Sequence, residues 1–173
     1  MKKIATASQL LVLELARLLS AEEAILRSLS SVVERARDPR LRNVLEEHSR
    51  ETRHHVSNLS DALHELTGVE ESLPPQALGG LDAELESTFA RIAPEGAIEL
   101  GDLALIAAAR RIEAYEIASY ESLGLLAARL DAPAASRAAA ANLADESRAF
   151  LALGECAEEI SRRIEVTGMA LPS

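Results

Sequence analysis

The sequence predicts an all-α protein, built as a four-helix bundle with one long crossover that contains a short helix. Ala and Leu dominate a chain that is 48% hydrophobic but has no Trp, two Phe and two Tyr. Such side chains favour helices packed closely on helices. Runs of β-branched and aromatic residues, which are typical of strands, do not occur. Four long segments repeat apolar residues at helical spacing, and Pro or Gly residues separate them.

A short turn joins the first two predicted helices. Residues 7 to 36 form one periodic segment, and Ser8 is predicted to be its N-cap. The Asp38–Pro39 pair ends this segment, because proline suits the first turn of a helix and disrupts its interior. The second helix is predicted to run from there to about Leu66 and to stop at Gly68.

A longer connection leads to the second pair of helices. Residues 68 to 80, GVEESLPPQALGG, are predicted to be loop, and residues 81 to 93 are predicted to form a short helix. A third long helix is predicted over Ile98–Leu130. The Asp131–Pro133 segment repeats the earlier Asp and Pro pattern and starts a fourth helix, which is predicted to end near Gly168.

These elements predict two antiparallel hairpins. A helix of about 30 residues is about 45 Å long, and the connection of roughly 30 residues is long enough to return along the bundle. This topology is the ferritin-like arrangement. The chain length suits a single domain over residues 1–173, with its core at about residues 8–166.

Each long helix carries glutamate on its apolar stripe, roughly midway along its length. On the second helix the stripe comprises Leu41, Val44, His48, Glu51, His55, Leu59 and Leu66. The glutamates on the four stripes are Glu22, Glu51, Glu113, Glu116 and Glu146. Because the midpoints of antiparallel helices meet at one level, we expect these carboxylates to converge.

Converging carboxylates predict a metal site. Like charges in a low dielectric repel, and each also loses its hydration. A divalent cation relieves both costs, as in di-iron and di-manganese carboxylate bundles. Carboxylate-rich ligation suits iron or manganese. The alternative is that each glutamate is paired with an arginine, or that the site no longer binds metal.

Two histidines compete for the ligand role on the second helix. Glu51 and His54 match the Glu-x-x-His spacing of this class of site. His54, however, projects to the edge of the apolar stripe, whereas His55 projects close to its centre, so His55 is preferred. His48 is interpreted as a core histidine bonded to a carboxylate, which a supporting role beside the metal would resemble. The predicted metal ligands are Glu22, Glu51, His55, Glu113, Glu116 and Glu146.

Other polar residues are assigned by their position on the helices. Tyr120 projects inward, either as a core aromatic or as a hydrogen-bond donor to a ligand carboxylate. Tyr115 projects outward, and His64 is predicted to be solvated. Cys156 is predicted to be a small buried hydrophobe.

Charge and hydropathy exclude several partners. A formal net charge of −10 disfavours nucleic acid and anionic membrane surfaces. No apolar run approaches the roughly 20 residues of a membrane span. Glu14 and Arg17 interrupt the first apolar run, which disfavours a signal peptide. The single cysteine rules out an internal disulfide, and we expect a cytoplasmic protein.

The stretches LEEHSRETRHHVSNL and DLALIAAARRIEAYEIASY resemble the YciF-like group of ferritin-like bacterial stress-response proteins, over about residues 8 to 160. SAEEAIL and LADESRAFL are weaker matches. The resemblance implies that Glu22, Glu51, Glu113, Glu116 and Glu146 form the inward acidic cluster, and it implies a homodimer. This chain departs from the family pattern, with Leu19 and Ser20 in place of Tyr and Asp, and His55 in place of a frequent Gln. Phe150 replaces an Asp, which bears on whether a second ion binds.

Two functions are therefore expected from different classes. The first is a di-metal carboxylate protein that handles iron and peroxide or oxygen in a stress response. The second is a non-enzymatic dimeric helical stress protein whose acidic cluster is structural or vestigial. Dimerisation is expected for either, because the outward apolar residues need cover. These residues are Leu26, Leu125, Leu126 and Leu151.

Overall fold

Five α-helices dominate the computed structural model, which describes residues 3–68, 78–93 and 98–164. They are α1 Ala7–Arg35, α2 Pro39–Thr67, α3 Leu78–Phe89, α4 Ile98–Arg129 and α5 Pro133–Ser161. The described residues include no strand. The predicted all-α class, with four long helices and a short helix in the crossover, is confirmed.

Polar side chains and a glycine define the ends of the first two helices. The N-cap of α1 is Thr6, not the predicted Ser8, because Thr6 and Gln9 form a reciprocal capping box. Asp38 caps α2, accepting from the backbone N–H groups of Arg40 and Leu41 at 2.9 and 3.0 Å. Gly68 ends α2 in the left-handed conformation, with φ of 69°.

The later helices depart from the predicted boundaries. Helix α3 begins at Leu78 instead of residue 81, so part of the predicted loop is helical, and residues 69–77 lie outside the described part. Helix α5 ends at Ser161, well before the predicted end near Gly168. Ile160 is its last buried residue, and a helix end without packing against the core gains little stability.

The long helices form a closed ring in the order α1, α2, α5, α4, and α3 packs on α4. Helix α4 begins where α1 ends, since Asp102 accepts the backbone N–H groups of Arg37 and Asp38, each at 2.8 Å. Arg163 at the end of α5 donates to Asp38 at 2.5 Å at this same end of the bundle. The topology is therefore up, down, down, up, with one crossover.

Apolar packing is concentrated at the two ends of the bundle. One end joins Leu15, Leu59, Leu63 and Leu123. The other joins Leu41, Leu105, Leu153 and Ile160, together with the buried Cys156. The level between them holds most of the buried charged side chains. Of the described helices, none has the length and apolarity to cross a membrane.

The outer face of the α4–α5 hairpin exposes large apolar side chains. Leu125 is 77% exposed and Leu151 is 66% exposed. Leu126, which was expected to face outward, is partly buried against the core, and Leu26 is also partly buried. Leu66 lies at the end of α2 and is 40% exposed, although it was placed on the inward stripe.

Candidate metal centre

Six acidic and histidine side chains meet between the two apolar ends. They belong to all four long helices, and none is more than 4% exposed. We call this set the Glu–His cluster; its members are Glu22, His48, His55, Glu113, Glu116 and Glu146. Helical spacing explains the convergence, because His48 and His55 are two turns apart, and Glu113 and Glu116 are three residues apart.

The cluster divides into two potential ligand groups that share one glutamate. In each group, the donor atoms of all members lie within 4.8 Å of one another. Glu146 from α5 belongs to both, so its carboxylate lies between them. We call the groups the His48 half (His48, Glu113, Glu116, Glu146) and the His55 half (Glu22, His55, Glu146).

Neighbouring side chains hold the residues of the His55 half in place through a network of hydrogen bonds. His55 Nδ1 lies 2.9 Å from Glu146 Oε1 and 3.3 Å from Glu22 Oε1. A hydrogen bond of 3.2 Å joins His55 Nε2 to Asp145 Oδ2. When Nε2–H donates to Asp145, the lone pair of Nδ1 faces the two glutamates and is available to a cation.

A hydrogen-bond relay fixes Glu22 from the opposite side. Asn58 Nδ2 donates to Asn142 Oδ1 at 2.8 Å, and Asn142 Nδ2 donates to the Tyr120 hydroxyl at 3.0 Å. Tyr120 in turn donates to Glu22 Oε1. Tyr120 is fully buried, so it is both a core aromatic and a donor to a cluster carboxylate.

The His48 half has far fewer partners. His48 Nε2 lies 3.4 Å from Glu113 Oε1, and His48 Nδ1 lies 3.8 Å from Glu146 Oε2. Both carboxylate oxygens of Glu116 are buried without a hydrogen-bond partner, as is Glu113 Oε2. Buried carboxylate oxygens without partners are costly, so this geometry favours a cation or protons in the space between them.

The pKa values follow this arrangement. Burial and the neighbouring carboxylates of Glu146 and Glu22 raise the pKa values of both Glu113 and Glu116 well above 4.5. Burial alone would lower the pKa of His55, but the adjacent Glu146 and Glu22 raise it to about 10. Burial likewise acts to raise the pKa of Glu146, yet His55 and Glu113 bring it below its usual value. In the absence of a cation, these shifts favour protonation, which neutralises part of the charge that a cation would otherwise compensate.

Glu51 is the one predicted ligand that lies outside both groups. Its side chain is 19% exposed, and Arg148 Nη2 donates to Glu51 Oε1 at 2.9 Å. Arg148 also donates to Asp145, so Glu51 is linked through Arg148 to the residue that supports His55. Glu51 is still close enough for its charge to raise the pKa of Glu113.

The other histidines and Tyr115 can be compared directly with their predicted positions. His54 and His64 are exposed, as expected for a residue at the stripe edge and a solvated residue, and Tyr115 is 36% exposed. His48 is buried and its Nε2 lies 3.4 Å from Glu113 Oε1, as expected for a core histidine beside a carboxylate. It also belongs to a potential ligand group. Its signal in the sequence is its position seven residues before His55.

Three supporting residues were not predicted from the sequence. Asp145, Asn142 and Asn58 act from α5 and α2, and their role depends on how these helices are rotated against each other. Asn142 is a fully buried amide one turn before Glu146. A buried amide at that spacing from a predicted ligand is the signal that points to it.

Comparisons with known proteins identify relatives of the whole bundle. Residues 6–164 match the family model of a domain of unknown function, DUF892. The crystal structure of the E. coli stress protein YciF aligns with a TM-score of 0.84 and 25% identity, covering 93% of this chain and 100% of that one. YcfI from Rhodopseudomonas palustris, described as a candidate structural protein, aligns with a TM-score of 0.83 and 29% identity, covering 88% of this chain and 96% of its own. Among curated proteins, none matches this chain.

Proposed function

Because this chain belongs to the YciF-like DUF892 family, we propose that its Glu–His cluster binds a pair of iron or manganese ions. One ion would be held by the His48 half and the other by the His55 half, with Glu146 reaching both. Glu51 stands beside this set as a further acidic residue. Its Oε1 atom accepts a hydrogen bond from Arg148.

The observation that carries this proposal is the convergence of buried carboxylate oxygens without partners. Glu116 and Glu146 contribute both of their oxygens, and Glu22 and Glu113 contribute one each. Native proteins seldom leave such atoms without partners unless a ligand or a functional role explains them. Oxygen ligands with one imidazole for each ion suit iron or manganese better than zinc or copper(I).

A bound ferrous pair would supply two electrons, which with two protons reduce one hydrogen peroxide molecule to two water molecules. The protein's own residues prepare the site for this chemistry. Asp145 orients the His55 ring, and Tyr120 holds one oxygen of Glu22. The apolar ends of the bundle limit the access of bulk water to the cluster.

The biological role, oligomeric state, location and partners of the protein are proposed from its relatives and its surface. YciF is described as a stress protein, and we propose a role in a bacterial stress response for this chain. A homodimer would cover Leu125 and Leu151 on the α4–α5 face. We further propose a cytoplasmic location, and neither nucleic acid nor a membrane as a partner, given the net charge of −10.

A second candidate is a non-enzymatic structural module in which His55 and protons neutralise the carboxylates. The pKa of His55, about 10, favours it, since a protonated His55 would compensate part of the negative charge without metal. The description of the R. palustris relative is also compatible with a structural role. In this second candidate function, the cluster would fix the register of the four long helices against one another.

Metal content after anaerobic loading with ferrous iron decides between the two. We expect up to two ions per chain by elemental analysis, one for each group, and a large loss in Glu116→Gln. Glu121→Gln is the matched control, because Glu121 lies on the same helix and is exposed. Iron near zero in the native chain, unchanged by Glu116→Gln, would overturn the metal proposal in favour of the structural module.

A further inference from the structure

A small apolar cavity lies between α1 and α4, directly beside the His48 half. Its volume is about 40 Å³. Ile25 and Leu29 from α1 and Leu105 and Ile112 from α4 form its walls, and Leu85 from the crossover helix α3 also lines it. We call this space the α1–α4 cavity.

Two cluster residues form the polar end of this cavity. His48 and Glu113 both line it, and each has a buried atom, His48 Nδ1 and Glu113 Oε2, without a hydrogen-bond partner. Ser28 is the third polar residue of the lining, but its hydroxyl donates to the Ile25 carbonyl at 3.0 Å. Away from its polar end, the cavity therefore offers a guest no free hydrogen-bond donor.

Small side chains on α4 create the space. Ala108 and Ala109 line the cavity where larger residues would close the gap between the two helices. Ala108 is 5% exposed, so its methyl group lies in the interior. The cavity is large enough for a water molecule, but most of its wall lacks the polar partners that a buried water needs.

We propose that the α1–α4 cavity is a binding chamber for dioxygen, next to the metal centre. Apolar cavities of proteins stay dry and take up apolar guests such as xenon. Dioxygen is small and apolar, whereas hydrogen peroxide would lose most of its hydrogen bonds to water, because only the end of the cavity at His48 and Glu113 offers unpartnered polar atoms. The chamber rests on the proposed function for its use, because two ferrous ions would reduce dioxygen with two protons to hydrogen peroxide, becoming ferric.

The first test uses xenon as an apolar probe on metal-free protein. Crystals under xenon pressure should show density between Leu29 and Ile112, and dissolved xenon should shift their methyl signals in NMR saturably. Ala108→Leu should abolish the shifts by filling the cavity. Ala107→Leu, the exposed neighbour on the same helix, should retain them. Absence of xenon from the native protein would overturn the chamber, and the crystal result does not depend on any variant folding.

The second test separates the chamber from the metal centre. In ferrous-loaded protein, Ala108→Leu should slow oxidation by dioxygen on the order of tenfold or more, while iron content and the rate with hydrogen peroxide stay at the level of Ala107→Leu. Equal slowing with both oxidants, or none with dioxygen, would overturn the assignment to dioxygen. A native chain that takes up xenon but no iron would leave the cavity as a gas site and would refute the proposed function alone.

Discussion

The two halves of the Glu–His cluster are built from similar side chains but are supported very differently. In the His55 half, Asp145 contacts the imidazole and Tyr120 donates to Glu22, and both supports are themselves hydrogen-bonded. In the His48 half, Glu116 has no partner for either oxygen. One half is therefore ordered by the protein, and the other lacks equivalent support among its own side chains.

This difference suggests a division of tasks. A preorganised half binds without rearranging its ligands, which favours affinity. A half with uncompensated carboxylates is less stable without metal, so a cation bound there would also stabilise the fold. The α1–α4 cavity opens onto the second half, at His48 and Glu113.

The largest expected effect is at the residue that the halves share. Glu146→Ala should abolish binding of both ions, because it removes a carboxylate from each group. Isothermal titration with manganese and elemental analysis with iron measure the stoichiometry. If one ion remains bound at native affinity, the halves do not share Glu146 and the comparison fails.

The next effect is on the pH dependence of stability in the metal-free protein. Folded Glu113 and Glu116 have pKa values raised well above 4.5, so the folded state holds extra protons above that pH. His55 likewise holds an extra proton between pH 6.5 and about 10. The contribution of these three groups to the free energy of unfolding is therefore fully present below their pKa values in the unfolded chain. It is lost as pH rises through their pKa values in the folded state. Glu146, with its lowered pKa, loses its contribution only as pH falls below 4.5, outside this window.

Thermal melts from pH 5 to 9 in chelator measure this slope. Glu116→Gln should reduce the fall of stability with pH, because one buried carboxyl group no longer has to ionise. Across this pH range, the change in the free energy of unfolding should differ from that of the native chain by about 1–3 kcal/mol. Metal-loaded protein should lose the slope, since the cation binds the deprotonated ligands. Stability that rises with pH in the metal-free native chain would mean that the glutamates are compensated individually.

A smaller and more local effect is expected from Asp145→Ala. Removing the carboxylate that contacts His55 Nε2 should lower the affinity of the His55 half for its ion by about 10–100-fold. The ion of the His48 half should be unaffected. Manganese titration followed by electron paramagnetic resonance can resolve the two affinities. An equal loss at both would mean that Asp145 supports the whole cluster.

The smallest expected effect is at Glu51. Glu51→Ala should change stability by no more than about 1 kcal/mol, as for a partly exposed ion pair with Arg148, and should leave the number of bound ions unchanged. Arg148→Ala serves as the paired control. Loss of an ion in Glu51→Ala but not in Arg148→Ala would instead establish Glu51 as a ligand, as the sequence pattern predicted.

Much of the cluster was predictable from helical periodicity alone. Glu22, Glu113, Glu116 and Glu146 lie on apolar stripes, and all four are buried together. The second helix was harder, because Glu51 lies at the edge of its stripe, about 50° from the stripe centre at 100° per residue, whereas His48 lies about 10° from it. A glutamate at such an edge points inward or outward according to its neighbours, and here Arg148 on α5 pairs with it.

The supports and the cavity could not be predicted in the same way. The contact between His55 and Asp145 depends on the rotation of α5 against α2, which a single-helix projection does not contain. The α1–α4 cavity is a gap between two helices that α2 and α3 also line, so it depends on side-chain volumes on all four. Helix ends show the same limit, because α5 ends with its last packed residue and not at the next glycine.

The contact between Asp102 and the first turn has a consequence for the order of assembly. The amides of Arg37 and Asp38 donate to a carboxylate that lies up to 65 residues away in the chain. The α4–α5 turn instead closes locally, with Ala132 N–H donating to the Ala127 carbonyl at 3.0 Å. The turn of the second hairpin thus closes on its own backbone, whereas the amides of Arg37 and Asp38 in the first turn find their acceptor on α4. Slow hydrogen exchange at Arg37 and Asp38 will consequently report the docking of the two hairpins, not the formation of either one.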